Sequence, residues 1–338
     1  MGIFGDMFAA ARARGQLERG VTKTRRNEMN VMTAQRLDPD TAGIATAAGI
    51  LNAGGLVAFP TETVYGLGAD ARDGRAVARV YEAKGRPAFN PLIVHVPDLQ
   101  TAQRYGTFDA QMEQLAQAFW PGPLTLVVPL VADHGLSALV TAGLDTVALR
   151  VPANPLAQKL LKAFGGPVAA PSANPSGRIS TTTADHVLAG LSVQIDAVLD
   201  GGACSVGLES TIIGGAPLAL LRPGGLSSEA IEKQVGTLGK PGAKVTAPGQ
   251  LASHYAPRAA VRLNANTAHP GELLLGFGPM QSDLNLSLTG DLIEAAARLF
   301  DHLHRLDARG LPIAVAPIPD IGLGRAINDR LRRAAAPR

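Results

Sequence analysis

Leu56-Val57-Ala58-Phe59-Pro60-Thr61-Glu62-Thr63-Val64-Tyr65-Gly66-Leu67 is the stretch on which the fold turns. Four apolar residues between Gly54-Gly55 and Pro60 are too few for a helix and read as a short buried strand. Hydroxyl, carboxylate and phenol groups follow at its C-terminal end, the place where open α/β sheets bind ligands. Upstream, Asp38-Pro39 reads as a helix N-cap with proline at the first helical position, the helix stopping at Gly54-Gly55.

Working outward, helices are expected over Ala76 to Lys84, Gln111 to Trp120, and near 154–164 and 228–235. Strands are expected at 92–96, 124–130, Thr146–Val151, Pro167–Ala170, Ala197–Asp200, Thr211–Ile213 and Leu218–Leu221. Strands mixed with helices and Gly/Pro turns specify an α/β or α+β domain with a multistranded sheet. Gly236 to Gly249 then shows Gly, Pro and Lys with little periodicity, which reads as a linker. Beyond it, strands at 272–277 and 312–316 with helices at 291–306 and 325–336 make a second, smaller α/β unit. A chain of 338 residues suits two domains.

Charge excludes a broad class of partners. The chain has 31 Lys plus Arg against 28 Asp plus Glu. Residues 1–30 hold six of the basic groups (Arg12, Arg14, Arg19, Lys23, Arg25, Arg26) and three of the acidic ones (Asp6, Glu18, Glu28), so the whole +3 surplus lies there. The body is neutral and lacks the electrostatic footprint of a nucleic-acid binder. Residues 1–31 read as a disordered extension, with a weak basic targeting helix as the competing reading; the apolar part, Met7 to Ala11, is too short for a signal-peptide core. No apolar run is long enough to span a bilayer. A single cysteine, Cys204, excludes a disulfide framework and points to a reducing, cytoplasmic setting.

Generic motifs contribute little. GxxxxGK[ST] and GxSxG are absent, and the seven histidines are scattered with no metal-ligand spacing. Gly66 to Ala71 matches GxGxxA, but no helix opens at its third position and no acidic residue follows about 20 residues on.

Polar residues instead concentrate in five stretches beside apolar strands: Pro60–Leu67; Lys84 to Pro87 with Asn90 to His95; Thr146 to Pro152; Pro171 to Gly177, continuing to Ser180; and Glu209 to Ile212 with Arg222-Pro223-Gly224. Each has a plainer reading. Strand-end Thr and Ser serve turns and caps, Lys84 and Arg86 complement a helix dipole, Arg150 and Arg222 form structural ion pairs, and His95 is a satisfied core histidine. Their joint occurrence favours a site for a polyanion plus a small zwitterion.

These stretches, together with Trp120 to Thr125, resemble the YrdC/Sua5 family in order and spacing. Pro248-Gly249-Gln250 with His254-Tyr255-Ala256-Pro257 resembles the hinge of the long Sua5 form, and Gly322 to Arg330 its C-terminal domain. The resemblance implies a YrdC-like twisted open α/β sheet with a large concave cavity over residues 35–236, a linker and hinge over 237–260, and a small Rossmann-like Sua5 domain over 261–338. The implied activity is synthesis of threonylcarbamoyl-AMP, a nucleotidyl transfer joining L-threonine, bicarbonate and ATP with release of pyrophosphate, for t6A modification of tRNA at position 37.

By the same resemblance, Lys84 and Arg86 are the catalytic Lys-x-Arg element on the triphosphate. Arg86, Asn90, Thr146, Ser172, Asn174, Ser180 and Arg222 match nucleotide-binding positions, with His254 and Tyr255 as a lid over the nucleotide. Thr63, His95, Arg150, Ala170 and Ser210 match threonine-binding positions, Arg150 facing the carboxylate, and Tyr65 lines the same cavity. Mg2+ is implied with ATP and no protein-built metal site is expected. A TsaD-type transfer machinery is the implied downstream partner, with no stable tRNA binding and no membrane. Phe89 departs from relatives, which often carry a polar residue there. Two competing readings are an RNA-binding module, opposed by the neutral body and 4% aromatic content, and carbamoyl transfer as in hydrogenase maturation proteins, opposed by the single cysteine.

Overall fold

The computed structural model describes residues 33–239 and 254–337. The expectations for residues 1–31 and for most of the hinge, 240–253, lie outside the described residues. From Thr33 onward the chain forms one compact unit. No helix among the described residues is long and apolar enough to cross a membrane.

The elements run β1 (Gln35–Leu37), α1 (Thr41–Asn52), β2 (Val57–Phe59), β3 (Gly66–Asp70), α2 (Gly74–Lys84), β4 (Ile93–His95), α3 (Leu99–Ala102), α4 (Ala110–Phe119), β5 (Leu124–Pro129), α5 (Ala138–Thr141), β6 (Thr146–Arg150), α6 (Pro155–Phe164), β7 (Val168–Ala169), α7 (Ala184–Leu191), β8 (Ala197–Leu199), β9 (Thr211–Gly214), β10 (Ala219–Arg222) and α8 (Ser228–Val235). Among the described residues these strands make a ten-stranded mixed sheet in the order β1-β8-β2-β3-β7-β4-β6-β5-β9-β10. The remaining elements are β11 (Val261–Arg262), β12 (Leu273–Gly276), β13 (Leu284–Asn285), α9 (Leu292–Asp307), β14 (Ile313–Val315) and α10 (Leu323–Ala334). Their strands pair in parallel in the order β11-β14-β12-β13.

One reading is corrected. The N-cap of α1 is Asp40, whose carboxylate accepts from the Gly43 amide at 2.7 Å, and not Asp38; Pro39 precedes the cap. Asp40 supplies the same side-chain acceptor two residues later. Gly66–Asp70, whose GxGxxA match already lacked its helix and acidic partner, forms a strand outside those expected. It is β3, paired antiparallel with β2, and a Cβ at Gly68 would stand 2.9 Å from the Phe59 ring and 3.0 Å from Val168. Glycine is there for packing between strands.

The strand pairings aim the polar stretches at one place. β4 and β6 lie parallel with His95 opposite Arg150, and β5 pairs with β9 so that Thr125 faces Ile212. Apolar clusters fill the sheet, with Leu67, Val94, Leu126 and Leu149 fully buried. On α9, the buried Ala295, Leu299, Leu303 and Leu306 recur every three or four residues, so that one stripe faces inward. That stripe shares a core with Val64, Ile179, Leu208 and Tyr255, so the smaller sheet and its helices pack directly behind the polar loops.

Candidate active site

Chain geometry turns many of these side chains toward one cleft. Gly85, at φ 59°, closes α2 in the left-handed conformation that glycine tolerates best, and releases Arg86 toward it. Arg150 ends β6, Arg222 ends β10, and the Thr61–Val64 loop crosses from β2 to β3. Thr63, Arg86, His95, Arg150, Ala170, Ser172, Ser210, Arg222, His254 and Tyr255 all line this cleft, joined by Thr61 and Glu209. About 50 Å3 of it is open to a water-sized molecule. Ligand pockets usually offer about 300–1,000 Å3, so the cleft, with His254 and Tyr255 in its lining, is small for a nucleotide.

At the amino-acid end, Arg150 is buried and closely held. Its Nη2 donates to Glu62 Oε1 at 2.7 Å, its Nη1 to Thr63 Oγ1 at 2.8 Å and its Nε to the Gly122 carbonyl at 3.3 Å. Thr61 donates its hydroxyl to the Val64 carbonyl at 2.7 Å, so Thr63 is the donor in the 2.8 Å bond between the two threonines. Protons therefore run one way, from Arg150 through Thr63 and Thr61 to the backbone. One N–H on each terminal nitrogen of Arg150 remains beyond these bonds. The structural ion pair and the open donors are both present.

His95 beside it is neutral. Burial, aided by the Arg150 charge, lowers its pKa to about 3. With so low a pKa it adds no second cation beside Arg150 and is a weak proton acceptor.

Elsewhere in the lining, Arg86 donates from Nε to the Asn90 carbonyl at 3.2 Å and from Nη2 to the Pro91 carbonyl at 2.9 Å. Burial brings its pKa down to about 10, so it stays charged at neutral pH. Arg222 Nη2 donates to the Ser210 carbonyl at 2.9 Å, and Ser210 Oγ sits 2.7 Å from Thr125 Oγ1.

Several expected residues stand elsewhere. Lys84 is buried behind the lining, its Nζ donating to the carbonyls of Ser172 (2.6 Å) and Asn174, so it shapes that loop. Burial, with Arg86 nearby, pushes its pKa well down. Asn90, Asn174 and Ser180 also stand behind the wall; Asn174 Nδ2 holds the Pro175 and Arg178 carbonyls, and Ser180 donates to Glu209. Tyr65 turns into the core, its hydroxyl donating to the Gly202 carbonyl at 2.9 Å. Thr146 begins β6 where Arg150 ends it, about 13 Å away at the strand rise. Phe89 is 61% exposed on the loop between Arg86 and Asn90.

Sequence reasoning missed three charged groups. Glu62 and Glu209 each precede a hydroxyl residue at the cleft, and that repeated acid-hydroxyl pair was the available signal. The third, Arg330 from α10, reaches Glu209 across 121 positions with its Nε at 3.0 Å from Oε2. Among the described residues no cluster of three or more His, Cys, Asp or Glu is placed to hold a metal ion.

Gly224 lets the arginine strand approach. A Cβ there would collide with the backbone of Glu209 and Ser210. Gly224→Ala is expected to cost about 1–3 kcal/mol through that overpacking and to weaken ATP-analogue binding; calorimetry showing parent affinity would separate this contact from the site.

Comparison with known proteins agrees with this layout. A family model described as Telomere recombination, covering Sua5, YciO and YrdC, matches residues 49–224, and one described as Threonylcarbamoyl-AMP synthase, C-terminal domain, matches 226–336. A threonylcarbamoyl-AMP synthase of Pyrococcus abyssi is 42% identical over 321 residues, spanning 86% of this chain and 94% of that relative. One of Bacillus subtilis is 40% identical over 324 residues, spanning 87% and 93%. The crystal structure of P. abyssi Sua5 complexed with L-threonine superposes with a TM-score of 0.82 at 39% identity, covering 89% of this chain and 97% of that one. With both family models matched in order and relatives aligned over most of its length, the chain belongs to the YrdC/Sua5 family in its long, two-part form.

Proposed function

We propose that this chain is a threonylcarbamoyl-AMP synthase, making threonylcarbamoyl-AMP and pyrophosphate from L-threonine, bicarbonate and ATP. The observation that carries the reading is the convergence of Arg86, Arg150 and Arg222, from three separate elements, on a cleft that also holds a neutral histidine.

Arg150 receives the threonine carboxylate on its remaining N–H groups, a charge-assisted pair in a water-poor setting. Thr63 and Ser210 frame the side chain, and neutral His95 adds no second cation beside the amine. The amine, its proton lost to solvent, attacks CO2 formed from bicarbonate with loss of water, giving a carbamate whose oxygen attacks the α-phosphorus and expels pyrophosphate. Charge builds on phosphoryl oxygens throughout, so positioning and cationic stabilisation dominate. Arg86 and Arg222 supply it. Ser172 and the loop held by Lys84 and Asn174 complete the nucleotide wall.

His254 and Tyr255 line this small cleft and act as a lid over the nucleotide that withdraws and returns. Glu209, the carboxylate in the lining, is already bonded to Ser180 and Arg330. The residues present therefore form no magnesium cage, and Mg2+ belongs to the triphosphate. A mixed anhydride of this kind is consumed by threonylcarbamoyl transfer to tRNA; a TsaD-type machinery is the acceptor that fits, with tRNA held there and not on this neutral body.

The test is product formation from labelled threonine and bicarbonate. Pyrophosphate and threonylcarbamoyl-AMP should appear only with all three substrates, and threonine-independent release of ADP would overturn the reading.

A further inference from the structure

The Trp120–Thr125 stretch serves the cleft through its backbone: the Gly122 carbonyl accepts from Arg150 and the Pro123 carbonyl from the Thr211 amide. Its last residue, Thr125, contributes a side chain. Thr125 is fully buried on β5 and stands behind the cleft lining. The parallel pairing of β5 with β9, in which Thr125 faces Ile212, sets it diagonally across from Ser210, which does line the cleft. The two hydroxyl oxygens lie 2.7 Å apart.

Proton counting fixes the direction of that bond. A hydroxyl gives one proton and accepts on two lone pairs. Among the described residues the Thr125 hydroxyl has Ser210 as its one hydrogen-bond partner and is sealed from solvent, so a proton not given to Ser210 would have no acceptor. Ser210 Oγ also accepts from Arg222 Nη2 at 3.3 Å, while the same nitrogen holds the Ser210 carbonyl at 2.9 Å. Two donors thus occupy both lone pairs of Ser210, and its own proton is left for what enters the cleft.

Thr63, the other hydroxyl beside the amino-acid side chain, has the opposite polarity. Its proton goes to Thr61 and one lone pair takes Arg150 Nη1 at 2.8 Å, so a lone pair is what it has left to offer. The cleft therefore presents a donor from Ser210 and an acceptor from Thr63. A substrate hydroxyl, which gives and takes, satisfies both. An aliphatic side chain of similar size satisfies neither and leaves buried polar groups unpaired.

We propose that Thr125 is a positioning residue that sets amino-acid specificity: its hydroxyl fixes Ser210 as a donor opposite the acceptor Thr63, so that the pair reads the β-hydroxyl of the substrate. The proposal rests on the function above and deepens it at the amino-acid end. Without the Thr125 hydroxyl, Ser210 loses one of the two bonds that orient its proton and turns it freely away from the cleft. Thr125 stands behind the lining, so its loss weakens a ligand that carries the hydroxyl and spares one that lacks it.

The experiment compares L-threonine with L-2-aminobutyrate, which is threonine without its hydroxyl, by calorimetric titration and displacement in the full chain, so that no turnover is needed. The parent should prefer threonine. Thr125→Val, close in size but without the hydroxyl, should shrink that preference about three- to ten-fold, the worth of one neutral hydrogen bond, by weakening threonine and leaving 2-aminobutyrate unchanged. Thr125→Ser keeps a hydroxyl and should keep the preference. Ser210→Ala should shrink it too, and adding Thr125→Val to Ser210→Ala should change it no further. Parent preference in Thr125→Val overturns the proposal, as does equal weakening of both ligands, the mark of a purely structural residue. Should Thr125→Val fail to fold, Thr125→Ala is judged by the same two outcomes. A parent without preference for threonine overturns the proposal as well. Absence of adenylate synthesis in a parent that binds threonine with that preference counts against the function alone.

Discussion

Arg86→Ala is expected to lower kcat/KM for adenylate formation by about 100- to 1,000-fold, the usual consequence of removing one preorganised donor aimed at developing charge. Arg86 is charged and lines the cleft together with Arg222. Its two present bonds go to the Asn90 and Pro91 carbonyls, which aim the fork and do not neutralise it. The stability cost is smaller. The Asn90 carbonyl keeps the Tyr81 hydroxyl as a donor when Arg86 is removed. A loss near 2 kcal/mol moves Tm by roughly 4–8 °C in a chain of this size. Arg86→Lys keeps a charge without the fork and should fall between parent and alanine. Steady-state pyrophosphate release, measured beside a thermal melt, decides the matter: undiminished turnover in a folded Arg86→Ala protein removes Arg86 from the site.

The same residues explain what the sequence could and could not disclose. Helix α8 was expected at 228–235 and lies there, because Ser227 caps it with a side-chain bond to Ala230 and Ile231 anchors its inner face. Arg150 was legible because strand periodicity put it at the end of a buried run. Strand β3 was not, since Gly66, Gly68 and Asp70 break every strand preference and are there for interstrand packing. Lys84 and Arg86 look equivalent one residue apart, but Gly85 turns the chain between them, so one faces backbone carbonyls and the other the cleft. Thr146 shares a strand with Arg150, and only pairing geometry reveals that it stands at the far end. Arg330 was quoted within a recognisable stretch, yet its partner Glu209 lies 121 positions away and no local pattern links them. Local spacing finds residues on one element. Charges that meet across elements need the fold.

The largest stability effect should come from Glu62→Ala. Glu62 is 7% exposed and accepts from Arg150 at 2.7 Å, from the Ala153 amide at 3.0 Å and from the Asn154 amide at 3.3 Å. One carboxylate thus ties the threonine loop, the end of β6 and the start of α6 together. Removing it leaves a 3% exposed guanidinium without its counter-charge, for which about 3–5 kcal/mol is the usual cost. At 2–4 °C per kcal/mol the melting point should drop by roughly 10 °C. Arg150→Met should cost less, because the carboxylate it strands still accepts two backbone amides. Activity orders the two variants differently. Arg150→Met removes the carboxylate partner of the amino acid outright and should raise the KM for threonine most, whereas Glu62→Ala leaves Arg150 present but unanchored. Equal melting points for the two variants, or a Glu62→Ala protein within a few degrees of the parent, would show that this pair does not brace the site. The two readouts together separate holding Arg150 in place from using it.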